Sequence, residues 1–317
     1  MAMSPALWAD SSAPQSSFQY HNKSAVAAVG KQPNVVEPGG LYRTDYDSEF
    51  GIIWARLQAS CPARFTPALI QGLREFQMDV ERRVRNEMAT AHPNPTRYQV
   101  FASDIPGIFS LGGDLELFQR LIKAKNKAEL SRYALECVDL VHTNVTNYRL
   151  PVTTISLVQG TALGGGFEAA LAANVVVAER SVRMGLPEVM FNMFPGMGAY
   201  QLLTRRLTPV QAERMILSGR TYTAEDLYDM GVIDIVAEDG QGEAAVYSYI
   251  RRHSKQAHGE AGLRRLVQQS TPIDYDDMRK SVEIWVETAL GLSDSDLRHM
   301  DYLIRAQRKN QPQQRLD

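Results

Sequence analysis

The strongest constraint on the fold is the alternation of short apolar segments with longer amphipathic ones. Five segments rich in β-branched and aromatic residues predict strands, at 50–57, 97–103, 153–160, 174–179 and 232–238. Between them, apolar residues recur at spacings of three and four, which is typical of helices that bury one face. Strands that alternate with helices indicate an α/β protein.

Capping residues predict where the helices begin and end. Thr66 followed by Pro67 predicts a helix start, and Asp114 opens a second helical stretch that extends to about residue 145. A third helix is predicted over 208–219, closed by a glycine, and a fourth over 223–231, opened by a capping box.

The two ends of the chain differ from this central pattern. Residues 1–47 are rich in Ser, Ala, Pro and Gly and lack periodicity, so we expect a flexible arm with a short ordered piece near Leu41 and Tyr42. The core is then expected over 48–240 and a helical region over 241–317.

The helical region contains no convincing strand. We predict three helices there, at about 241–256, 273–291 and 293–309. Trp285 lies on the apolar face of the second helix and Leu303 on that of the third. Faces this apolar must pack on the core, a neighbouring subunit or a ligand.

Composition excludes several classes of function. The chain has 317 residues, 44% of them hydrophobic, with a net charge of -2, so it lacks the basic field of a nucleic-acid binder. Cys61 and Cys137 stand alone, which argues against a disulfide framework or a metal site and suits a reducing cytoplasm. No apolar run approaches the roughly 20 residues of a membrane span, and the N-terminus lacks a secretory pattern. We expect a cytoplasmic protein without membrane insertion.

Two glycine-rich turns are candidates for an anion site. They lie in "IFSLGGDLELF" (108–118) and "GTALGGGFEAAL" (160–171), and in each a strand-like segment gives way through glycines to a helix. Glycine lets backbone N–H groups approach a ligand closely, and two such donors suit an oxyanion. The alternative is that both segments are ordinary tight turns, with Asp114 capping the helix that follows the first.

Two glutamates stand beside these turns. Glu168 follows the second turn, and Glu188 is the only acid in "MGLPEVMFNMFPGMGAY" (184–200). If Glu188 is buried among these apolar residues its pKa should rise, whereas an exposed loop position would leave it unchanged. Two carboxylates in different environments are suited to general acid and base catalysis.

Together, "FSLGGDL", "GTALGGGFEAAL" and "MGLPEVMFNMFPGMG" resemble the signature of the crotonase, or enoyl-CoA hydratase/isomerase, superfamily. The resemblance covers about 48–240 and implies a crotonase-type spiral of ββα turns that forms trimers. It implies that the N–H groups of Gly113 and Gly165 bind a thioester oxygen as an enolate, and that Glu168 and Glu188 are the catalytic acids. It implies no cofactor and no metal.

Longer segments narrow the resemblance to the diffusible signal factor synthases of Gram-negative bacteria. These are "FSLGGDLELF", "VQGTALGGGFEAAL", "MGLPEVMFNMFPGMGAY", "VEIWVETAL" and "LRHMDYLIRAQ". Such enzymes dehydrate a 3-hydroxyacyl thioester on acyl carrier protein and cleave the thioester, which releases a cis-2-unsaturated fatty acid used in quorum sensing. Met197, Trp285 and Leu303 are then candidates to line an acyl tunnel, with ordinary core packing as the alternative for each.

The resemblance also implies partners and leaves alternatives open. The expected substrate carrier is acyl carrier protein or CoA, the expected assembly is a homotrimer or a dimer of trimers, and a membrane sensor kinase is a candidate partner. A plain enoyl-CoA hydratase or isomerase would share both glutamates and both glycines. A non-catalytic binding protein on the same fold should lack the acids, which are present here. The sequence leaves open which glutamate is the acid, and the length, branching and double-bond geometry of the acyl chain.

Overall fold

A computed structural model describes residues 35–36 and 40–309, without the side chains of residues 35, 36, 306 and 309. In chain order the strands are β1 (Val35–Val36), β2 (Tyr42–Asp47), β3 (Ile52–Leu57), β4 (Tyr98–Ser103), β5 (Ile108–Ser110), β6 (Thr153–Val158), β7 (Thr161–Leu163), β8 (Val175–Glu179), β9 (Arg183–Gly185), β10 (Thr221–Thr223) and β11 (Ile235–Ala237).

Eleven α-helices are present in the described part of the chain, with short 3-10 helices at Asn147–Arg149, Pro187–Phe191 and Ser254–Gln256. The α-helices are α1 (Pro67–Ala89), α2 (Leu115–Lys123), α3 (Lys127–Val145), α4 (Gly165–Leu171), α5 (Ala199–Thr204), α6 (Pro209–Ser218), α7 (Ala224–Asp229), α8 (Gly242–His253), α9 (Ala257–Ser270), α10 (Tyr275–Leu290) and α11 (Asp294–Lys309).

Two sheets form the frame of the fold. The larger has the strand order β1-β2-β3-β4-β6-β8-β11, and the smaller has the order β10-β9-β7-β5. From β3 to β11 the neighbours in the large sheet are parallel, as are β5, β7 and β9 in the small one. Successive turns of the chain give one long strand to the large sheet, one short strand to the small sheet and then a helix. This is the ββα spiral expected from the sequence, followed by a C-terminal helical region.

Both faces of the large sheet are buried, as is usual for parallel strands. In β3, Ile53 and Ala55 face the main core, while Ile52 and Trp54 face a second apolar cluster. Helix α8 covers that second cluster, chiefly through Val246 and Ile250. Every residue of β3 is therefore buried, which explains a sequence that is apolar except for Arg56.

The predicted helix caps are confirmed. The Thr66 hydroxyl accepts from the Leu69 N–H, with Pro67 in the first turn of α1. The capping box predicted at Thr223 opens α7 together with Asp226, and Gly219 ends α6 in the left-handed region with φ 60°. These caps satisfy backbone groups that the helix ends leave free.

Three boundaries differ from the prediction. The ordered piece predicted near Leu41 and Tyr42 is present but longer than expected, because residues 42–47 form β2 and pair with β3. Residues 1–34 and 37–39 of the predicted arm lie outside the described residues. The stretch from 115 to 145 is two helices, since Lys125 has φ 50° and Asn126 caps a new helix. Helix α9 was not predicted, because none of its residues is buried.

The C-terminal helices cover one end of the spiral. Helix α10 packs on α3, and α11 packs on α2 and on the 3-10 helix Pro187–Phe191. The small sheet, α2, α3, α10 and α11 thus surround one interior space. Among the described helices, none combines the length and apolar character needed to cross a membrane.

Candidate active site

The two glycine turns meet because the strands before them are neighbours. Strands β5 and β7 pair in parallel, so the turns that follow their carboxyl ends lie side by side. Gly112 has φ 88°, and a Cβ there would lie 2.9 Å from the Gly165 nitrogen. A Cβ on Gly165 would lie 3.5 Å from the Gly113 nitrogen. Only glycine allows this close approach at position 112, since a side chain would be strained there and would collide with the second turn.

The N–H groups of Gly113 and Gly165 are available for a ligand. Neither donates a hydrogen bond to an acceptor within the described residues, and both glycines line one cavity. The peptide that carries the Gly113 N–H is fixed at its other end, because the Gly112 oxygen accepts from the Phe65 N–H at 2.8 Å. The structure thus brings together the two donors that the sequence predicts, and such a pair can stabilise a developing oxyanion.

Glu168 lies one helical turn after Gly165 and is buried, with 1% of its surface exposed. Its Oε1 accepts hydrogen bonds from the N–H groups of Met197 and Ala199, each at 2.8 Å. Burial raises the pKa of Glu168 to about 7, although these two hydrogen bonds act to lower it. The carboxyl group is thus held in place and can exist in either protonation state near neutrality.

Glu188 reaches the same cavity from the 3-10 helix Pro187–Phe191. The residue is half-buried, but its Oε2 is buried and has no hydrogen-bond partner among the described residues. Its Oε1 packs on Gly164, where an added Cβ would lie 2.4 Å away. The pKa of Glu188 is raised to about 8. Burial is the larger cause, and the negative charge of Glu168 acts in the same direction. An unpaired buried carboxyl oxygen is costly and is typical of a functional site.

The two carboxyl groups titrate as a pair. Because each is desolvated and the charge of Glu168 disfavours ionisation of Glu188, the two groups lose their protons in separate steps. One group can then accept a proton while the other donates one.

The cavity has a volume of about 380 Å³, within the usual range for small-molecule sites. Beyond the glycines and glutamates its lining is largely apolar and comes from α2, α3, α10 and α11. The apolar lining includes Leu115, Phe118, Ile122, Ala134, Cys137, Trp285, Ala289, Met300 and Leu303. It can accommodate a hydrocarbon chain that extends from the two N–H donors.

The three residues predicted to line an acyl tunnel all border this cavity. The sulfur of Met197 would lie 2.6 Å from a Cβ on Gly165, so Met197 lies beside the second glycine turn. Trp285 packs edge-on against Phe118, with ring centroids 5.2 Å apart. Leu303 is half-buried on α11.

Two polar residues that were not predicted, Tyr133 and Gln307, hold the first glycine turn. The Tyr133 hydroxyl accepts from the Asp114 N–H at 3.2 Å and donates to the Phe65 oxygen. The Gln307 side chain donates to two carbonyl oxygens of the turn. One signal was available: Gln307 falls in helical register with Met300 and Ile304, on an otherwise apolar face.

Nothing in the described residues suggests a metal centre, since no group of three or more His, Cys, Asp or Glu side chains is arranged to hold an ion there. The polar groups of the cavity are suited to proton transfer and to oxyanion binding.

Comparison with known proteins agrees with this geometry. Residues 88–287, more than half of the chain, match the family model described as enoyl-CoA hydratase/isomerase. The mitochondrial methylglutaconyl-CoA hydratase of Rattus norvegicus is 34% identical over 148 residues, which are 47% of this chain and 45% of that protein. The chain thus spans a little under half the length of the curated relatives that it matches.

Solved structures show the same fold. An enoyl-CoA hydratase from Mycobacterium avium subsp. paratuberculosis K-10 has a TM-score of 0.65 at 20% identity, over 84% of this chain and 99% of that chain. Pseudomonas aeruginosa DspI has a TM-score of 0.60 at 22% identity, over 74% of this chain and 84% of that chain. At such identities the likeness supports the fold alone.

Proposed function

Since the chain belongs to the enoyl-CoA hydratase/isomerase family, we propose that its cavity binds an acyl thioester and that Glu168 and Glu188 move protons beside the carbonyl group. The observation that carries the proposal is the meeting of two buried carboxyl groups and two unpaired N–H donors at one apolar cavity. The thioester oxygen would accept from the N–H groups of Gly113 and Gly165. The acyl chain would extend toward Trp285 among the C-terminal helices.

The first step proposed is dehydration of a 3-hydroxyacyl thioester. One carboxylate of the pair takes a proton from C2, and the two N–H donors hold the negative charge on the thioester oxygen. The electron pair then forms the C2–C3 double bond as the C3–O bond breaks, and the other carboxyl group protonates the departing hydroxide to give water. The pair ends the step with one proton, as it began, with the two carboxyl groups exchanged in role.

The second step proposed is hydrolysis of the thioester. Water attacks the carbonyl carbon while a carboxylate accepts its proton, and the same N–H donors hold the tetrahedral oxyanion. The carbonyl bond reforms as the C–S bond breaks, and the carrier leaves as a thiol with a proton from the pair. One site can serve both steps because both place negative charge on the same oxygen.

The finer proposal is that the product is a cis-2-unsaturated fatty acid used as a quorum-sensing signal, made from a substrate on acyl carrier protein. Its support is the resemblance of the segments around the site to the diffusible signal factor synthases. Two of those segments, "VEIWVETAL" and "LRHMDYLIRAQ", form parts of α10 and α11, which border the cavity through Trp285 and Leu303. The alternative is an enoyl-CoA hydratase or isomerase of fatty acid metabolism, which would use the same four residues.

Assembly and partners also remain proposals. A homotrimer would fit the apolar side chains that α9 exposes, among them Leu263 at 59% exposure, since such side chains are often covered by another subunit. The division of the chain at about residues 47 and 240 rests on the sequence pattern. Control by a membrane sensor kinase rests on the resemblance.

The test is incubation with 3-hydroxydodecanoyl acyl carrier protein, with products separated and identified by mass spectrometry against cis and trans standards. We expect free cis-2-dodecenoic acid from the wild type, and none above background from Glu168→Gln or Glu188→Gln. Glu213→Gln changes an exposed residue of α6 and should match the wild type. Reversible hydration with the thioester intact would instead favour the hydratase alternative, and no turnover of this substrate would contradict the synthase proposal.

A further inference from the structure

Helix α11 contacts both the acyl part and the thioester end of the cavity. Met300 and Leu303 border the apolar space, and Gln307, one turn further on, borders it beside the first glycine turn. The helix is anchored elsewhere by Gln119 of α2, whose side-chain nitrogen donates to the Leu297 oxygen at 3.1 Å and to Asp301 at 2.7 Å. A second glutamine contact thus holds the same helix without contacting the glycine turn.

Gln307 donates two hydrogen bonds to the turn that presents the Gly113 N–H. Its side-chain nitrogen lies 3.0 Å from the Leu111 oxygen and 3.0 Å from the Gly113 oxygen, and the residue is 6% exposed. Because both partners are carbonyl oxygens, only the NH₂ group of the amide can face them.

These contacts restrain the carbonyl groups of the first glycine turn. The peptide that carries the Gly113 N–H has its oxygen held by Phe65, and the peptides on either side have their oxygens held by Gln307. Three successive carbonyl groups are therefore restrained. The Leu111 N–H also donates to the Ala63 oxygen at 2.7 Å, and the Leu115 N–H donates to the Gly113 oxygen at 3.0 Å, so Gln307 adds to restraints that the backbone supplies. An oxyanion donor is effective only when its direction is fixed in advance.

We infer that Gln307 is a positioning residue, which aims the Gly113 N–H at the substrate oxygen and couples that donor to the packing of α11 against the acyl chain. The inference rests on the proposed thioester site. An acyl chain that packs on Met300 and Leu303 holds α11 in place. Binding energy from contacts far from the carbonyl group then helps to fix the direction of the Gly113 N–H. The length of the acyl chain should therefore change kcat more than KM.

If the role of Gln307 were purely structural, its replacement would have a different effect. Its loss would lower the melting temperature, but the thioester carbonyl of bound substrate would remain polarised to the same degree. The stretching frequency of that carbonyl reports polarisation by hydrogen-bond donors, and stability alone does not move it.

The experiment compares Gln307→Leu with Gln119→Leu, which removes the other amide contact to α11. Each purified full-length variant is assayed with 3-hydroxyacyl thioesters of 8 and 12 carbons for kcat and KM. The carbonyl stretch of bound dodecanoyl-CoA, labelled with ¹³C at C1, is recorded by difference infrared spectroscopy. We expect Gln307→Leu to lower kcat for the longer substrate about tenfold or more, with KM changed less than threefold, and to return the carbonyl band toward its value in water. Gln119→Leu should keep kcat within about twofold and leave the band unchanged.

Two results would overturn the inference. One is a carbonyl band in Gln307→Leu equal to that of the wild type, and the other is an equal loss of kcat in both variants. Gln307→Glu checks the chemistry, because a carboxyl group, ionised or protonated, cannot donate to both carbonyl oxygens; kcat at the wild-type level at pH 7 would count against the inference. Failure of the proposed reaction is recognised separately, as absence of turnover by the wild type. The band of bound dodecanoyl-CoA still tests Gln307 in that case.

Discussion

Replacing Glu188 with glutamine should abolish activity and yet stabilise the protein at alkaline pH. The Glu188 Oε2 is buried and has no hydrogen-bond partner in the part of the chain that the structure describes, and the negative charge of Glu168 acts on the same carboxyl group. The pKa rises from its ordinary value of 4.5 to about 8, with burial as the largest cause. The folded protein therefore holds this proton more tightly than the unfolded chain does.

The direction and size of the effect follow from linkage. The stabilisation from the bound proton is fully present below pH 4.5, and it is lost as the pH rises through the raised pKa of the folded state. At about 1.4 kcal/mol for each pKa unit, ionisation of Glu188 costs the folded state up to about 5 kcal/mol above pH 8. Glutamine is neutral at every pH, but its amide group does not reproduce every contact of a protonated carboxyl group. We therefore expect Glu188→Gln to raise the free energy of unfolding by about 2–4 kcal/mol at pH 9.

The assay is equilibrium unfolding in urea at pH 5 and pH 9, at one protein concentration. The gain of Glu188→Gln should shrink to below about 1 kcal/mol at pH 5, where the wild-type carboxyl group is protonated in the folded state. Glu213→Gln, on the exposed face of α6, should stay within about 0.5 kcal/mol of the wild type at both pH values. A variant no more stable than the wild type at pH 9, or one with the same gain at both pH values, would refute the reasoning.

Four further predictions concern activity. Glu168→Gln should lower kcat by about 100-fold or more while the far-UV circular dichroism stays unchanged, and near-normal turnover would remove it from the catalytic pair. Trp285→Ala should extend the preferred substrate toward longer chains in a competition assay, and a preference for shorter chains would contradict its placement. Gly164→Ala should destabilise the fold by about 1–3 kcal/mol, measured by urea unfolding, because φ is 53° and ψ is -128° there, a combination that only glycine adopts readily; it should also lower kcat about tenfold or more, since its Cβ would meet Glu188 Oε1. The dependence of kcat/KM on pH should be bell-shaped, with an acid limb where both carboxyl groups are protonated and an alkaline limb where both are ionised; a flat profile from pH 5 to 10 would contradict paired titration.

The sequence predicted two kinds of element correctly. These are helices that begin at a local capping signal, and strands that are buried on both faces. The apolar run of β3 and the Thr–Pro starts of α1 and α6 belong to this group. Strand β2, with the sequence YRTDYD, was missed because it depends on pairing with β3, which lies after it in the chain. Helix α9 was missed because it buries no apolar face that a periodic pattern could reveal.

The site was predictable to the extent that its residues stand in recognisable segments. Gly113, Gly165, Glu168 and Glu188 come from three segments separated by about 20 to 50 residues, and the resemblance identified each of them. Their convergence depends on the parallel pairing of β5 and β7, strands of three residues that no propensity argument would find. The contact of Gln307 with a turn 194 residues earlier arises only when α11 packs on the core, so it could not be predicted from spacing.

The central claim is that one site both dehydrates and hydrolyses the same thioester. Its most direct test is a single turnover of 3-hydroxydodecanoyl acyl carrier protein in H₂¹⁸O, with the position of the label determined by mass spectrometry. We predict a free 2-dodecenoic acid that carries one ¹⁸O atom in its carboxyl group. Label found only at C3 of an acyl chain still joined to its carrier would show reversible hydration without hydrolysis, and would contradict the claim.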